Sequence, residues 1–192
     1  MTRKITAHLF HSLNDVVEHP DRWQFDGFGA EEGELMGEML ASTTDTIIGR
    51  KLWQEWSEYW PQADDPFAQW INPVRKHVLS STLSADLPWN SVLVSGDPVS
   101  YIRELREQGK GDISVAGGIE TVRSLFLAGL VDELTLTTHP VVAAEGRRLF
   151  DEHAPLTRLR LLRAVQTEAG NAILTYTLRP GSEADGGDTP AE

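Results

Sequence analysis

Apolar and polar positions follow two periods along this chain, and the switches between them predict its elements. Lys4 to Phe10 carries Ile5, Ala7 and Leu9 on one side, the period of a strand. Glu31 to Ala41 gathers Leu35, Met36, Met39 and Leu40 on one side of a helix, with Glu31, Glu32, Glu34 and Glu38 as its solvated face. Thr44 to Gly49 predicts a second strand, and its Ile47-Ile48 pair implies burial on both faces. A helix start at Leu52 to Trp56, a strand at Lys76 to Thr82, a short strand at Val92 to Ser95 and a helix at Val99 to Gln108 follow, while Gln62 to Pro66 reads as a loop. Gly111 to Phe150 is the most regular stretch. It gives a strand at Asp112 to Ala116, the turn Gly117-Gly118, a helix with Ile119, Val122, Leu125 and Phe126 inward, a stop at Gly129, and a strand through Leu134, Leu136 and Thr138. That order predicts a right-handed βαβ crossover and a parallel pair. Leu159 to Gln166 and Ala172 to Leu178 predict a final hairpin turning at Gly170-Asn171.

The alternation as a whole predicts an α/β domain with a mostly parallel central sheet and an antiparallel C-terminal hairpin edge. One domain over residues 1–179 is expected, followed by an acidic, glycine-rich tail over 180–192 that is expected to be disordered. The 192 residues, 40% of them hydrophobic, suffice for one sizeable core. No apolar run is long enough to span a bilayer, and the first ten residues lack the apolar stretch of a signal peptide, so cytoplasm is the expected compartment. The absence of cysteine removes disulfides and thiol catalysis, and the six histidines show no metal-ligand spacing. A net charge of −12 opposes nucleic acid and anionic membrane as partners. An anionic small molecule must therefore be met by a local set of donors.

Three strand ends offer such a set. Gly117-Gly118 between a strand and a helix lets a bulky anion approach the free N–H groups of the first helical turn. Gly49-Arg50-Lys51 sets a planar fork and a point charge at a strand end. Ser80-Ser81-Thr82 ends another strand in hydroxyls. Each also has a purely structural reading: a steric glycine pair, an exposed basic pair, a hydroxyl turn. Ligands of open α/β sheets lie at the carboxyl ends of the strands, and a dinucleotide needs several phosphate contacts along its length. The segment Ser12 to Asp15 leaves the first strand with Asn14 and Asp15, suited to a ligand or to an Asx turn. Trp53, Trp56, Tyr59, Trp60, Phe67 and Trp70 form an aromatic-rich middle section, read as core, pocket wall, lid or subunit contact.

Several of these stretches together resemble a known family. Gly129-Leu130-Val131-Asp132-Glu133-Leu134, His139-Pro140-Val141-Val142 and Gly146-Arg147-Arg148-Leu149-Phe150, with Gly49-Arg50-Lys51, Trp60-Pro61 and Val78-Leu79-Ser80-Ser81-Thr82, are similar to the dihydrofolate reductase-like family. The branch is that of the C-terminal reductase domain of the riboflavin-biosynthesis deaminase–reductase, and the likeness runs from about Ile5 to Leu178. It implies a three-layer sandwich, a homodimer and NADPH as cofactor, with a flavin in the same cleft left open. By resemblance Gly49, Arg50 and Lys51 hold phosphates, Ser80 and Ser81 lie by the adenosine 2′-phosphate, and Gly117, Gly118, Ile119, Glu120 and Thr121 face the pyrophosphate. Ser12, Asn14 and Trp23 border the substrate, and Asp15 is the candidate proton donor. Three positions depart from the family pattern. Leu52 stands where Thr is usual, Ser12-Leu13-Asn14-Asp15 replaces Ser-Leu-Asp-Gly, and Ala143-Ala144 replaces a pair often ending in Gly. Two functions are expected on this basis: an NADPH-dependent reductase of a small pterin- or pyrimidine-like heterocycle, or a dimer that keeps the fold and binds a small molecule without turnover.

Overall fold

The computed structural model describes residues 2–25, 27–84 and 86–179, so the expected tail lies outside the described residues. Its strands are β1 (Ile5–Ser12), β2 (Thr43–Gly49), β3 (Arg75–Leu79), β4 (Ser91–Val94), β5 (Asp112–Val115), β6 (Glu133–His139), β7 (Leu159–Gln166) and β8 (Ala172–Leu178). The helices are α1 (Ala30–Ser42), α2 (Arg50–Tyr59), α3 (Pro66–Ile71), α4 (Pro98–Glu107) and α5 (Ile119–Leu127). They build one eight-stranded sheet in the order β4-β3-β2-β5-β1-β6-β8-β7. The pairs from β4 through to β6 are all parallel, and β8 runs antiparallel to both its neighbours. The mostly parallel sheet with a C-terminal hairpin edge is thus present. Among the described residues, no helix is long and apolar enough to cross a membrane.

Both sheet faces carry helices. Ile5, Ala7, Ile47, Ile113 and Val115 pack in one cluster with Ile102 of α4 and Val122, Leu125 and Phe126 of α5. Ile48 and Val78 point the other way and pack with Trp53 and Trp56 of α2. Ile47 and Ile48 are fully buried, one on each face, as their pairing in sequence implied.

Four local expectations change. The strands around α5 are parallel but are not partners, because β1 lies between them and pairs with both. β3 stops at Leu79, and Ser80 to Thr82 form the turn that follows it. A short helix, α3, begins at Pro66, the last residue of the predicted loop. Asp65 caps it by accepting from the backbone N–H groups of Phe67 and Ala68. Glu32 is buried rather than solvated. It accepts from the Gly29 N–H at 3.0 Å and from Asn171 Nδ2 at 2.6 Å, which ties the start of α1 to the hairpin turn.

The amino ends of the strands are held by a buried polar cluster. Arg3 donates to Asp45 and Thr44 and to the carbonyls of Gln108 and Gly111. Asp45 also meets His77 Nε2 at 2.9 Å, and His77 Nδ1 meets the Tyr101 hydroxyl at 2.7 Å. Gly111, beside this cluster, has φ +75°, and a Cβ there would lie 2.9 Å from the Ser42 carbonyl and 2.5 Å from Thr44 Cγ2. Gly111→Ala is therefore expected to lose about 2–3 kcal/mol, a fall in Tm of roughly 5–10 °C by calorimetry. Gly96→Ala is the control, since it shares the positive φ but meets nothing within 4 Å. It should lose about 1 kcal/mol, from backbone strain alone.

Candidate functional site

Because the first six strands of the sheet run parallel, their carboxyl ends share one edge. Gly49, Ser80, Gly117 and the Ser12–Asp15 loop all follow that edge. β2 and β5 are neighbours, so α2 and α5 start side by side. The contact is close enough that a Cβ on Gly49 would lie 2.6 Å from Thr121 Oγ1, and one on Gly117 would lie 2.7 Å from Leu52 Cδ2. Glycine at these positions is what allows the two helix starts to meet. Gly117 and Gly118 also have positive φ, 45° and 70°.

The N-termini of these two helices differ from the others. Asp65 caps α3, Asp97 caps α4 by accepting from the Ser100 N–H at 2.9 Å, and Glu32 reaches back to the start of α1. Among the described residues, α2 and α5 have no side chain in that role; their N-caps are Gly49 and Gly118. Their first-turn N–H groups, with the positive ends of two helix dipoles, are left for an anion. Arg50 and Lys51 open α2 with no acidic partner among the described residues, and Arg50 rests on Gln54 at 2.7 Å. Ile119 is buried in the core, so only its backbone faces this edge, and exposed Glu120 lies 3.3 Å from Arg147. Ser80 follows the Leu79 that pairs with Gly49. Its Oγ accepts from the N–H groups of Thr82 and Leu83, while Ser81 is exposed. The structure thus gathers Gly49, Arg50, Lys51, Gly117, Gly118, Ile119, Glu120 and Thr121 around one point, with Ser80 and Ser81 one strand away. Leu52, the departure from the family pattern, lies over Gly117.

The first loop is organised differently. Ser12 is fully buried, donating to Asn14 Oδ1 at 2.8 Å and accepting from the Val16 N–H at 3.0 Å. Asn14 exchanges two hydrogen bonds with the backbone of Ala143, both 2.9 Å. Trp23 is buried beside Val16 and Ala143, and its indole donates to the Glu18 carbonyl. These three groups therefore lock the loop to the segment after β6. Of the four predicted groups here, Asp15 alone stays exposed, with its carboxylate 3.7 Å from His11 Nδ1. The two residues border a cleft of about 150 Å³ on the α5 side, walled by Val17, Leu136, Leu149 and Phe150. Burial lowers the pKa of His11, and Asp15 offsets part of that effect.

The other face of the sheet holds polar residues that the sequence pattern did not single out. Thr6, Ser114 and Thr46 stand in register across β1, β5 and β2. Ser114 Oγ donates to Thr46 Oγ1 at 2.8 Å, and buried Thr6 Oγ1 has no partner among the described residues. His8, next along β1, meets Thr137 Oγ1 at 2.8 Å; burial, and then the nearby His139, push its pKa down to about 4. The signal available in sequence was the run Thr6, His8, Phe10 interleaved with Ile5, Ala7 and Leu9.

Comparison with known proteins places these features in context. The dihydrofolate reductase of Enterococcus faecalis complexed with NADP(H) has the same fold, with TM-score 0.59, 15% identity, and 93% of this chain and 99% of that chain covered. A putative riboflavin biosynthesis protein from Shewanella superposes with TM-score 0.72 at 18% identity, covering 93% and 99%. The uncharacterized protein YyaP of Bacillus subtilis is 28% identical over 138 residues, 69% of this chain and 73% of that one. The family model described as the RibD C-terminal domain matches residues 3–173, from the Arg3 cluster to the start of β8, and the chain belongs to that family.

Proposed function

We propose that the protein is an NADPH-dependent reductase of a small heterocycle of pterin or pyrimidine type. The observation that carries this reading is the meeting of two helix N-termini without side-chain caps at Gly49 and Gly118, beside Arg50 and Lys51, which have no acidic partner among the described residues. This donor set fits the pyrophosphate of a dinucleotide, since paired N–H arrays and helix dipoles favour negative charge. Arg50, Lys51, Ser80 and Ser81 supply charge and hydroxyls for the 2′-phosphate that distinguishes NADPH from NADH. The cofactor, when bound, supplies the hydride for a C=N or C=O carbon. The protein's part is to orient, to exclude water and to deliver a proton. Exposed Asp15, with His11 behind it, is the group available for that transfer at the same sheet edge.

The test is titration of the protein with NADPH and NADH, followed by tryptophan fluorescence. NADPH is expected to bind more tightly. Arg50→Ala is expected to weaken NADPH about 10- to 100-fold, the scale of one lost charge-assisted phosphate contact, while changing NADH little. Failure of both cofactors to bind at high micromolar concentration would remove the reductase reading and leave the non-catalytic one.

A further inference from the structure

Glu120 stands in the first turn of α5, two residues after Gly118, at a helix start that no side chain caps among the described residues. A carboxylate there suits the positive end of the helix dipole while the start is empty. It opposes the arrival of a second anion at the same place. α2 differs, since its first turn opens with Arg50 and Lys51 and holds no acid. Of the two helix starts that meet at this edge, only that of α5 brings a negative charge of its own.

Arg147 meets that charge. Its Nη1 lies 3.3 Å from Glu120 Oε1, and its Nε donates to Glu18 Oε1 at 2.7 Å. The backbone of Arg147 is held by the same loop. Its N–H donates to Glu18 Oε2 at 3.1 Å, its carbonyl accepts from the Val17 N–H at 3.0 Å, and Arg148 forms a bridge with Val16. Gly146 before it has φ +131°, and a Cβ there would lie 2.5 Å from Val16 Cγ1. One guanidinium thus spans two carboxylates, with Glu18 fixing where it sits. Arg123, on the same turn of α5, is engaged elsewhere: it donates to Asp151 and to the carbonyls of Arg148 and Leu149. Arg147 is the one cation in contact with Glu120 among the described residues.

We infer that Arg147 sets the affinity of the α5 start for the cofactor's phosphates by neutralising Glu120, with Glu18 holding the guanidinium in place. This inference rests on the reductase reading and adds Arg147 and Glu18 to its cofactor machinery as positioning residues. With Arg147 present, the first-turn N–H groups face the pyrophosphate without a competing charge. Without it, Glu120 keeps the favourable end of the dipole and repels the phosphates. The Arg147 and Glu120 side chains are 58% and 75% exposed, so the effect is moderate and sensitive to salt.

The experiment is a double-mutant cycle on the full chain, titrated with NADPH at about 0.05 M and about 0.5 M salt. At low salt Arg147→Ala is expected to bind NADPH about three- to fivefold more weakly, the scale of one exposed charge pair. Glu120→Gln should bind it about twofold more tightly. The double variant should return to within about twofold of the parent, and Arg147→Lys, which keeps the charge, should stay within about twofold. At high salt the loss in Arg147→Ala should fall below about twofold. If Arg147 only held the loop in shape, the double variant would bind as weakly as Arg147→Ala, and salt would not close the gap. That result, or unchanged NADPH affinity in Arg147→Ala at low salt, overturns the inference while leaving the reductase reading in place. Absence of NADPH binding to the parent overturns both.

Discussion

Asp45→Ala is expected to lose about 3–5 kcal/mol of stability, the cost of leaving a buried charge without its partner. Arg3 and Asp45 keep only 4% and 15% of their side-chain surface exposed, so water cannot replace the lost carboxylate. The same change strands the Nε2 of His77, which loses its 2.9 Å contact. For a chain of this length the loss corresponds to a fall in Tm of roughly 10 °C or more. Asp45→Asn, which keeps an acceptor, should lose about half as much. A loss below about 1 kcal/mol in Asp45→Ala would mean that the carbonyls around Arg3 hold it unaided. The cluster also has a pH signature. Burial works to raise the Asp45 pKa, but hydrogen bonds from His77, Arg3 and Thr44 outweigh it, and the net shift is downward. Its contribution is therefore complete above the ordinary aspartate range and is lost as pH falls through the depressed folded value.

His8 produces the second large effect, and it appears at milder acidity. Its pKa lies near 4 in the folded protein, against about 6.5 when unfolded. Between those values the unfolded chain takes up a proton that the folded chain refuses, so stability falls as pH drops from 6.5 toward 4. A shift of this size amounts to about 3 kcal/mol at most; with His8 half-buried rather than sealed, about 2 kcal/mol is expected. Urea unfolding at pH 7 and at pH 4.5 measures it, and His8→Gln should flatten the slope by that amount. His11, His77 and His139 are also lowered, chiefly by burial, so some acid sensitivity should persist in the variant. An unchanged slope in His8→Gln would place the acid sensitivity in those three histidines instead.

Much of the fold was legible because its signals are local. The periodicity of Ile119, Val122, Leu125 and Phe126 and the Gly-Gly turn before them marked α5 within a residue or two. The hairpin followed from two apolar runs about a glycine turn. The glycines and basic pair at the strand ends were legible too, because a glycine before a helix and a basic pair after a strand keep their chemistry wherever the strand is placed. The first loop was not. Ser12 and Asn14 looked like ligand groups because the Val16 and Ala143 atoms that engage them were invisible, the latter lying 129 residues from Asn14. Glu32 was misplaced for a similar reason, since its partner Asn171 is 139 residues away.

The sequence alone determined the alternation of strands and helices, the antiparallel C-terminal edge and the composition of the turns before α2 and α5, since each depends on residues a few positions apart. Only the tertiary structure decided that β1 separates β5 from β6, and that Thr6, Ser114 and Thr46 form one row. It alone decided that the starts of α2 and α5 meet through Gly49 and Gly117. Strand order sets those neighbours. It is fixed by which faces bury together across more than a hundred residues, and no local pattern carries that information.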